Sequence, residues 1–250
     1  MQKLDQNNSA TYAILTCADL VRRCDPSSHV RKVSLVRDGR GLIVCVTDGK
    51  NAIRFDFAED APGLAALPPG VWTVKNEDWP PWGAYDWRLR VEVDVDWPSI
   101  ACDAYTAKGR QATGRSCRVR LHAAPCPILD LWDRLTVCVR TAVSVPDLAG
   151  VLEPLHDGAT IELSHTGPSN VWVQVMGSTL GAMLRATGEP FSRARISVAP
   201  LEFALGVCEP CGDPVVLHIP TAQADQDAPI LLRAGFCAVV VAQTPQAAAS

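Results

Sequence analysis

The cysteines and histidines are the residues of this sequence whose types and spacing could support metal or nucleophile chemistry. Cys208 and Cys211 form a C-x-x-C pair. Such a pair is half of a structural zinc site, which takes four ligands and commonly uses two pairs. No second C-x-x-C follows, although His218 and Cys237 could lie near the pair in the folded chain. We therefore favour a helix-end turn with two buried thiols, and we expect no metal and no cofactor.

Nucleophilic catalysis has no local signature in this chain. The five histidines are scattered, so a Cys–His pair could form only through the fold. The sequence contains no G-x-x-x-x-G-K-[ST], no H-E-x-x-H and no G-x-S-x-G motif, which are the usual marks of nucleotide, zinc-protease and hydrolase chemistry. The sequence thus favours a protein that is not an enzyme, with a β-rich enzyme using Cys and His as an alternative.

Tryptophan is concentrated in one short region, since five of the seven residues fall between positions 72 and 97. Aromatic side chains can stack on nucleic-acid bases when basic residues are interleaved with them. The segment NEDWPPWGAYDW, residues 76–87, contains no Lys or Arg. We therefore favour packing around a helix that Pro80 and Pro81 interrupt, because proline removes a helical hydrogen bond.

Charge is unevenly distributed along the 250 residues. The formal net charge is −4, with +1 in residues 1–134 and −5 in residues 135–250. A protein that coats nucleic acid without specificity would be far more basic. The sequence therefore allows only a localised basic face. An apolar fraction of 48% is typical of globular proteins and excludes global disorder.

Cysteine use and hydropathy bear on the compartment. Most of the ten cysteines lie inside apolar segments, where they act as small apolar residues, and reduced thiols are the rule in the cytosol. No apolar run approaches the ~20 residues of a membrane helix, and the polar N-terminus lacks a secretory signal. We expect a cytoplasmic protein without a membrane partner.

The elements that must position these residues repeat along the chain. In the second half, a β-branched strand, a proline-opened helix and three strands occur twice in succession. The first copy comprises strand 137–145, helix 146–155 and strands 159–164, 170–176 and 179–187. The second comprises strand 194–199, helix 200–208 and strands 214–219, 229–235 and 236–243.

The first half follows the same order less regularly. The pattern predicts a strand at 11–16, a helix at 17–24 and strands at 30–38, 41–49 and 51–59. A second copy would have a strand at 71–75, a helical region at 76–87 and strands at 88–96, 100–108 and 117–122. The fold class is α+β, with a pseudo-twofold repeat of βαβββ in each domain and helices on one face of antiparallel sheets. The predicted organisation is a tail at 1–10, domain 1 at 11–122, a connector at 123–136, domain 2 at 137–243 and a tail at 244–250.

This layout resembles the DNA sliding clamps, the processivity factors of replicative polymerases. TDGKNAIRFDF, residues 47–57, is similar to a strand-turn-strand of clamp domains, and residues 212–243 are similar to the closing strands of bacterial clamps. The length resembles that of the two-domain clamps of eukaryotes, archaea and some phages. The resemblance implies a ring-shaped homotrimer that encircles duplex DNA and tethers DNA polymerase and other proteins carrying clamp-binding peptides. The departure of the sequence from cellular clamps suggests a phage or mobile-element origin, and hence the host cytoplasm for a phage protein.

The resemblance implies that helices line the hole and that Lys and Arg contact phosphates without reading bases. The candidate DNA-binding residues are Arg22, Arg23, Lys75, Arg88, Lys108 and Arg110. The alternative for Arg22, Arg23, Lys108 and Arg110 is an exposed charge with no ligand. The helices at 146–155 and 200–208 depart from the family pattern, because they carry Asp147, Glu153 and Glu202 but no Lys or Arg. A clamp-fold interaction module or scaffold that does not encircle DNA is therefore the alternative function.

The partner site of two-domain clamps lies beside the interdomain connector and the C-terminal tail. The matching residues here are Ile128, Leu129, Leu131, Trp132 and Pro245. Exposed apolar side chains on a connector suit a binding surface. The alternative is that Leu131 and Trp132 hold the connector against the sheets.

Overall fold

The computed structural model describes most of the chain, with gaps. The described residues are 6–23, 32–39, 41–49, 51–58, 60–61, 63–75, 79, 86–93, 97–106, 110–126, 128–129, 132, 138–221 and 228–244.

Runs of strands separate the helices along these residues. The helices are α1 (Gln6–Arg23), α2 (Val145–Leu152) and α3 (Val198–Cys208), with a 3-10 turn at Glu209–Cys211. The strands of the first half are β1 (Lys32–Asp38), β2 (Gly41–Thr47), β3 (Asn51–Phe57), β4 (Gly70–Lys75), β5 (Asp86–Val93), β6 (Pro98–Tyr105), β7 (Gln111–Arg120) and β8 (His122–Ala123). The strands of the second half are β9 (Cys138–Val143), β10 (Thr160–His165), β11 (Asn170–Val175), β12 (Gly181–Gly188), β13 (Ala194–Ser197), β14 (Val215–Pro220), β15 (Ile230–Ala234) and β16 (Cys237–Val241).

The helix α1 corrects the sequence prediction for the start of the chain. Residues 11–16, predicted as a strand, lie in its middle, and it begins at Gln6, within the segment predicted as a tail. Its buried residues recur at helical spacing, three or four positions apart. They are Ala10, Ala13, Ile14, Cys17, Ala18, Leu20 and Val21. The alternation in TYAILT is thus part of a longer stripe with a period of 3.6 residues.

The chain divides into two compact units, each built on antiparallel sheets. The first comprises Leu4–Gly49 and Ile53–Ile128, and the second consists mainly of Leu129–Ser250. In the first unit the strand order is β3-β2-β1-β4-β8, and β5-β6-β7 form a separate sheet. α1 packs on β1, β2 and β5.

Strand pairing in the second unit is reciprocal between its two repeats. The order is β13-β10-β11-β12-β9-β14-β15-β16. β9, which opens the first repeat, pairs with β14 of the second, and β13, which opens the second, pairs with β10 of the first. Neither repeat therefore completes its sheet alone, which explains why two copies of the βαβββ unit occur together.

The helices of the second unit form where the sequence predicts them. Ser144 precedes α2, and its hydroxyl oxygen accepts a hydrogen bond from the Asp147 backbone N–H at 3.4 Å, which satisfies one of the unpaired donors of the first turn. α3 buries Leu201, Ala204, Leu205 and Cys208, which recur at helical spacing. The strands predicted in this half are confirmed within a few residues. In the first half, the helical region predicted at 76–87 lies outside the described residues, except Trp79 and the start of β5.

Candidate DNA-facing and partner-binding surfaces

Two lysines meet where β1 begins and β4 ends. Lys75 is exposed, and the antiparallel register places Lys32 directly opposite it. Residues opposite each other in such a pair have Cβ atoms about 4.5–5.5 Å apart, and like charges there are unfavourable. The pair therefore concentrates positive charge, and a bound phosphate group would reduce the repulsion between the two lysines. Sequence reasoning missed Lys32, because only the pairing of β1 with β4 brings it to Lys75.

Of the two arginines at the end of α1, the structure describes the side chain of Arg22 only. Arg22 is half-buried. Burial lowers the pKa of its guanidinium group, and the nearby Asp19 carboxylate acts in the opposite direction. Arg23 ends the helix, and its side chain lies outside the described part. Arg22 is thus held against the protein more closely than a fully solvated charge.

Arg88 and Arg110 lie toward the same end of the β5-β6-β7 sheet. The Arg88 guanidinium carbon is 4.2 Å from the centre of the Tyr105 ring, a cation–π contact. Tyr105 pairs in register with Gln111, the residue after Arg110. Arg110 is exposed, and its carbonyl oxygen accepts a hydrogen bond from Thr106 N at 2.8 Å. The predicted Lys108 lies outside the described residues.

Two further arginines of this sheet face, Arg90 and Arg118, are engaged by acids. Arg90 contacts both Glu92 and Asp103, and Arg118 contacts Glu92 with Nη2 3.0 Å from Oε2. Burial tends to raise the pKa of Asp103, but hydrogen bonds from Ser116, Arg90 and Gln111 outweigh burial and lower it. The face therefore carries an ion network, which leaves less of its positive charge for a ligand.

The exposed side of α2 and α3 is acidic, as the sequence predicts. Asp147 lies in the first turn of α2, Glu153 caps its end, and Glu209 caps the end of α3. Glu202 lies within α3, and neither helix contains Lys or Arg. This side offers a phosphate backbone only repulsion.

The predicted partner residues are described in part. Ile128 and Leu129 are half-buried, whereas Trp132 is 9% exposed. Leu131 and Pro245 lie outside the described residues. The tail before Pro245 is anchored, because Thr244 N donates a hydrogen bond to the Arg195 carbonyl oxygen at 3.0 Å. The burial of Trp132 matches the alternative interpretation, in which this side chain holds the connector in place.

Among the described thiols, six have a raised pKa, which is the opposite of activation; they are Cys17, Cys45, Cys102, Cys117, Cys138 and Cys237. The nine described cysteines are free. Burial and hydrogen bonds with Cys208 and Cys211 raise the pKa of Cys237, so the three thiols form a cluster. Cys208 is buried as expected, but Cys211 is half-buried. Within the described part of the chain, no group of three or more His, Cys, Asp or Glu residues could hold a metal ion.

One Cys–His pair does form across β9 and β14. Cys138 Sγ lies 3.8 Å from His218 Nδ1. Burial raises the pKa of Cys138, and burial, Arg140 and Arg233 lower the pKa of His218. Both directions disfavour a thiolate–imidazolium pair, which nucleophilic cysteine requires.

Comparison with known proteins finds the relationship in structure and not in sequence. No family model matches the chain, and no curated protein matches it. A putative DNA polymerase III beta subunit from Eubacterium rectale matches over 97% of this chain and 65% of its own, with a TM-score of 0.68 and 11% identity. The chain has a sliding-clamp-like fold. The expectation for fold class is confirmed.

Two further clamp structures match. A DNA polymerase sliding clamp from Pseudomonas aeruginosa covers 96% of this chain and 64% of its own, with a TM-score of 0.61 and 12% identity. Proliferating cellular nuclear antigen from Entamoeba histolytica covers 94% and 96%, with a TM-score of 0.54 and 14% identity. This chain thus spans just under two thirds of the length of the two bacterial proteins and nearly all of the length of the third. No helix among its described residues is long and apolar enough to cross a membrane.

Proposed function

We propose that the protein is a sliding-clamp-like processivity factor that encircles duplex DNA and tethers replication proteins. The observation that carries this proposal is the match of nearly the whole chain to clamp structures, with TM-scores of 0.54 to 0.68. The protein acts by topology and not by chemistry, so it is not an enzyme. The raised pKa of Cys138 and the lowered pKa of His218 agree with that.

DNA contact in this proposal is electrostatic and independent of sequence. The contacting residues are Arg22, Arg23, Lys75, Arg88, Lys108 and Arg110, with Lys32 added because it lies opposite Lys75. Each phosphate contact releases condensed counterions, so binding weakens steeply as salt rises. The basic surface belongs to the first unit, and the acidic helices of the second unit contribute none of it.

Assembly into a homotrimer would use two strand edges. Within the described residues, β7 pairs only with β6, and residues 181–185 of β12 pair only with β11. Unpaired edges carry free N–H and C=O groups that accept another strand. Pairing the β7 edge of one copy with the β12 edge of the next gives a head-to-tail contact, which closes into a ring at the right rotation. Three copies supply six domains.

Partners in this proposal are DNA polymerase and other proteins with short apolar clamp-binding peptides. Their site comprises Ile128, Leu129, Leu131, Trp132 and Pro245, of which Ile128 and Leu129 are half-buried. We propose further that the protein is encoded by a phage and acts in the host cytoplasm.

A second function has a specific observation in its favour. A clamp-fold scaffold that binds proteins without encircling DNA would need no positive charge on α2 and α3, and these helices carry none. The two functions differ in whether the protein is retained on DNA by topology.

Retention on plasmid DNA separates them. The protein is incubated with a nicked circular plasmid and with the same plasmid linearised, and gel filtration at moderate salt follows. The proposed clamp remains with the circle and slides off the linear form. Equal release from both forms, together with stable protein complexes, favours the scaffold.

Single basic residues are tested by the salt dependence of duplex binding. For Lys75→Ala, we expect the slope of log K against log salt to fall by about 1, since one phosphate contact is lost. Arg193→Ala removes the same charge from an exposed position of the second unit and should leave the slope unchanged. An equal effect of both variants contradicts the assignment of Lys75.

A further inference from the structure

A groove runs between α2 and α3 on the exposed side of the helix pair. Its volume is about 520 Å³, within the range of sites that hold small ligands or short peptide segments. Val145, Pro146, Ala149 and Leu205 give it an apolar floor. Both helices belong to the second unit, so the groove is complete within that unit.

Two glycines keep the groove open. Gly150 and Gly206 line it, and each lies inside a helix. A Cβ atom added at either glycine would meet nothing within 4 Å, so packing within the chain does not require glycine there. Glycine is among the poorest helix formers. Its occurrence at both positions is explained if another molecule approaches the helix backbones.

Three carboxylates surround the apolar floor. Glu153, Glu202 and Glu209 line the groove. Among the described residues, none of the three side chains has a hydrogen bond or an ion pair. Residues 145–153 and 198–211 contain no Lys, Arg or His to offset them.

The position of two of these carboxylates opposes helix stability. Glu153 and Glu209 are the C-terminal caps of α2 and α3. The C-terminus of a helix carries partial negative charge and favours cations. A cationic group bound between the two helix ends would therefore interact favourably with both carboxylates and with both helix termini.

We propose that this groove binds a cationic amphipathic segment of a partner protein, with Lys or Arg at the carboxylates and small apolar side chains on the floor. Charge complementarity excludes a phosphate backbone as the occupant, and the apolar floor excludes a purely hydrophilic basic tail. The site is separate from the connector residues of the proposed function and does not depend on ring formation. Bound in this way, the partner lies on α2 and α3, which contain no Lys or Arg.

The first test measures binding of a synthetic peptide in the absence of DNA. The probe is a fluorescent 14-residue amphipathic peptide of Lys, Leu and Ala, and fluorescence anisotropy at low salt is the readout. A peptide of equal charge with Ser in place of Leu is the control for charge alone. We expect the first peptide to bind the wild-type protein and the second to bind at least about tenfold more weakly, since apolar contact supplies part of the affinity.

Two matched double variants test the carboxylates. Glu153→Gln/Glu202→Gln should weaken peptide binding by about tenfold or more, because two close charge pairs are lost. Asp60→Asn/Asp157→Asn removes the same net charge from exposed positions away from the groove lining and should change binding by less than about twofold. Equal weakening by both double variants overturns the proposal.

Filling the groove tests the same site without removing charge. Gly206→Leu places a side chain in open space on a helix, so the melting temperature should stay equal or rise while peptide binding is lost. Unchanged binding by Gly206→Leu overturns the proposal, and so does the absence of peptide binding by the wild-type protein. Loss of duplex DNA binding in Gly206→Leu would identify DNA as the occupant instead. Plasmid retention is a separate readout, so failure here leaves the proposed clamp function standing.

Discussion

Asp103 is the residue whose environment most clearly stabilises a charge. It is 9% exposed, and it contacts Arg90, Gln111 and Ser116. A carboxylate with several donors resists protonation, which agrees with its lowered pKa. The network joins all three strands of the β5-β6-β7 sheet, so this one side chain supports the sheet as a whole.

Asp103→Asn should destabilise the protein by about 1–3 kcal/mol at neutral pH, because charged hydrogen bonds to Arg90 are replaced by weaker ones. The folded-state pKa is lowered, so the stabilisation is present above the unfolded pKa of about 4 and is lost as pH falls through the folded value. Urea unfolding at pH 7 and at progressively lower pH measures the difference, which should shrink as the solution becomes more acidic. Asp157→Asn, at an exposed loop position, should show no comparable difference. A penalty for Asp103→Asn that does not vary with pH would contradict the role of its charge.

Residue types were readable from the sequence, but residue partners were not. The basic character of residues 108–120 is evident from composition, yet the pairing of Arg118 with Glu92 depends on three strands being in register. Lys32 lies more than 40 positions from Lys75, and no local pattern joins them. The acidic character of α2 and α3 could be predicted from the sequence, because it depends only on helical spacing within each segment.

α1 does in the first unit what a strand does in the second. In the second unit, β9 pairs with β14 and closes the sheet. No described strand takes the equivalent place beside β5. Instead, Thr11 of α1 accepts a hydrogen bond through its hydroxyl oxygen from Leu89 N at 3.2 Å, and the Gly63 carbonyl accepts one from Val91 N at 2.6 Å. A helix and a loop thus satisfy an edge that a strand covers in the other unit.

Thr11→Val tests this substitute for strand pairing. The change keeps the shape of the side chain but leaves Leu89 N–H without its acceptor, which should lower the free energy of unfolding by about 1–3 kcal/mol. Hydrogen exchange at the Leu89 amide should quicken as well. Thr16→Val, one turn and a half along the same helix, should have a smaller effect in both measurements. Protection of the Leu89 amide that is the same in both variants would show that Thr11 is not its partner.

The prediction of elements succeeded where the apolar pattern fits one period only. It failed where the pattern fits both the strand period and the helix period. Strands β10, β11, β14 and β16 contain several β-branched residues and are bounded by turn residues, which the strand period explains. TYAILT fits a strand over six residues, and only the stripe extending through Cys17, Ala18 and Val21 reveals the helix. Tertiary packing on β1, β2 and β5 decides between them.

At the scale of the whole molecule, the sequence shows the repeated unit but not the number of copies that assemble. The order βαβββ predicts a clamp-like fold, and the structural matches bear this out. The number of copies in a ring depends on the angle between strand edges of neighbouring molecules, which no local sequence pattern encodes. The mass of the assembly in solution therefore determines the number of copies directly.

The mass in solution can also test whether one residue at the edge of β12 takes part in assembly. Met183, which is 59% exposed, lies in the stretch of β12 that pairs only with β11 among the described residues, and Leu180 is 65% exposed just before the strand. If this edge receives β7 of the next copy, light scattering should give three times 26.9 kDa, about 81 kDa, for the wild-type protein. Met183→Arg should then give a monomer with an unchanged circular dichroism spectrum, because a charge would be desolvated in the contact. Val93→Arg, which alters a side chain that is 56% exposed in β5, should remain trimeric. A wild-type monomer at high micromolar concentration would contradict an autonomous ring and favour the scaffold, whereas a trimer that tolerates Met183→Arg would place the contact at another edge.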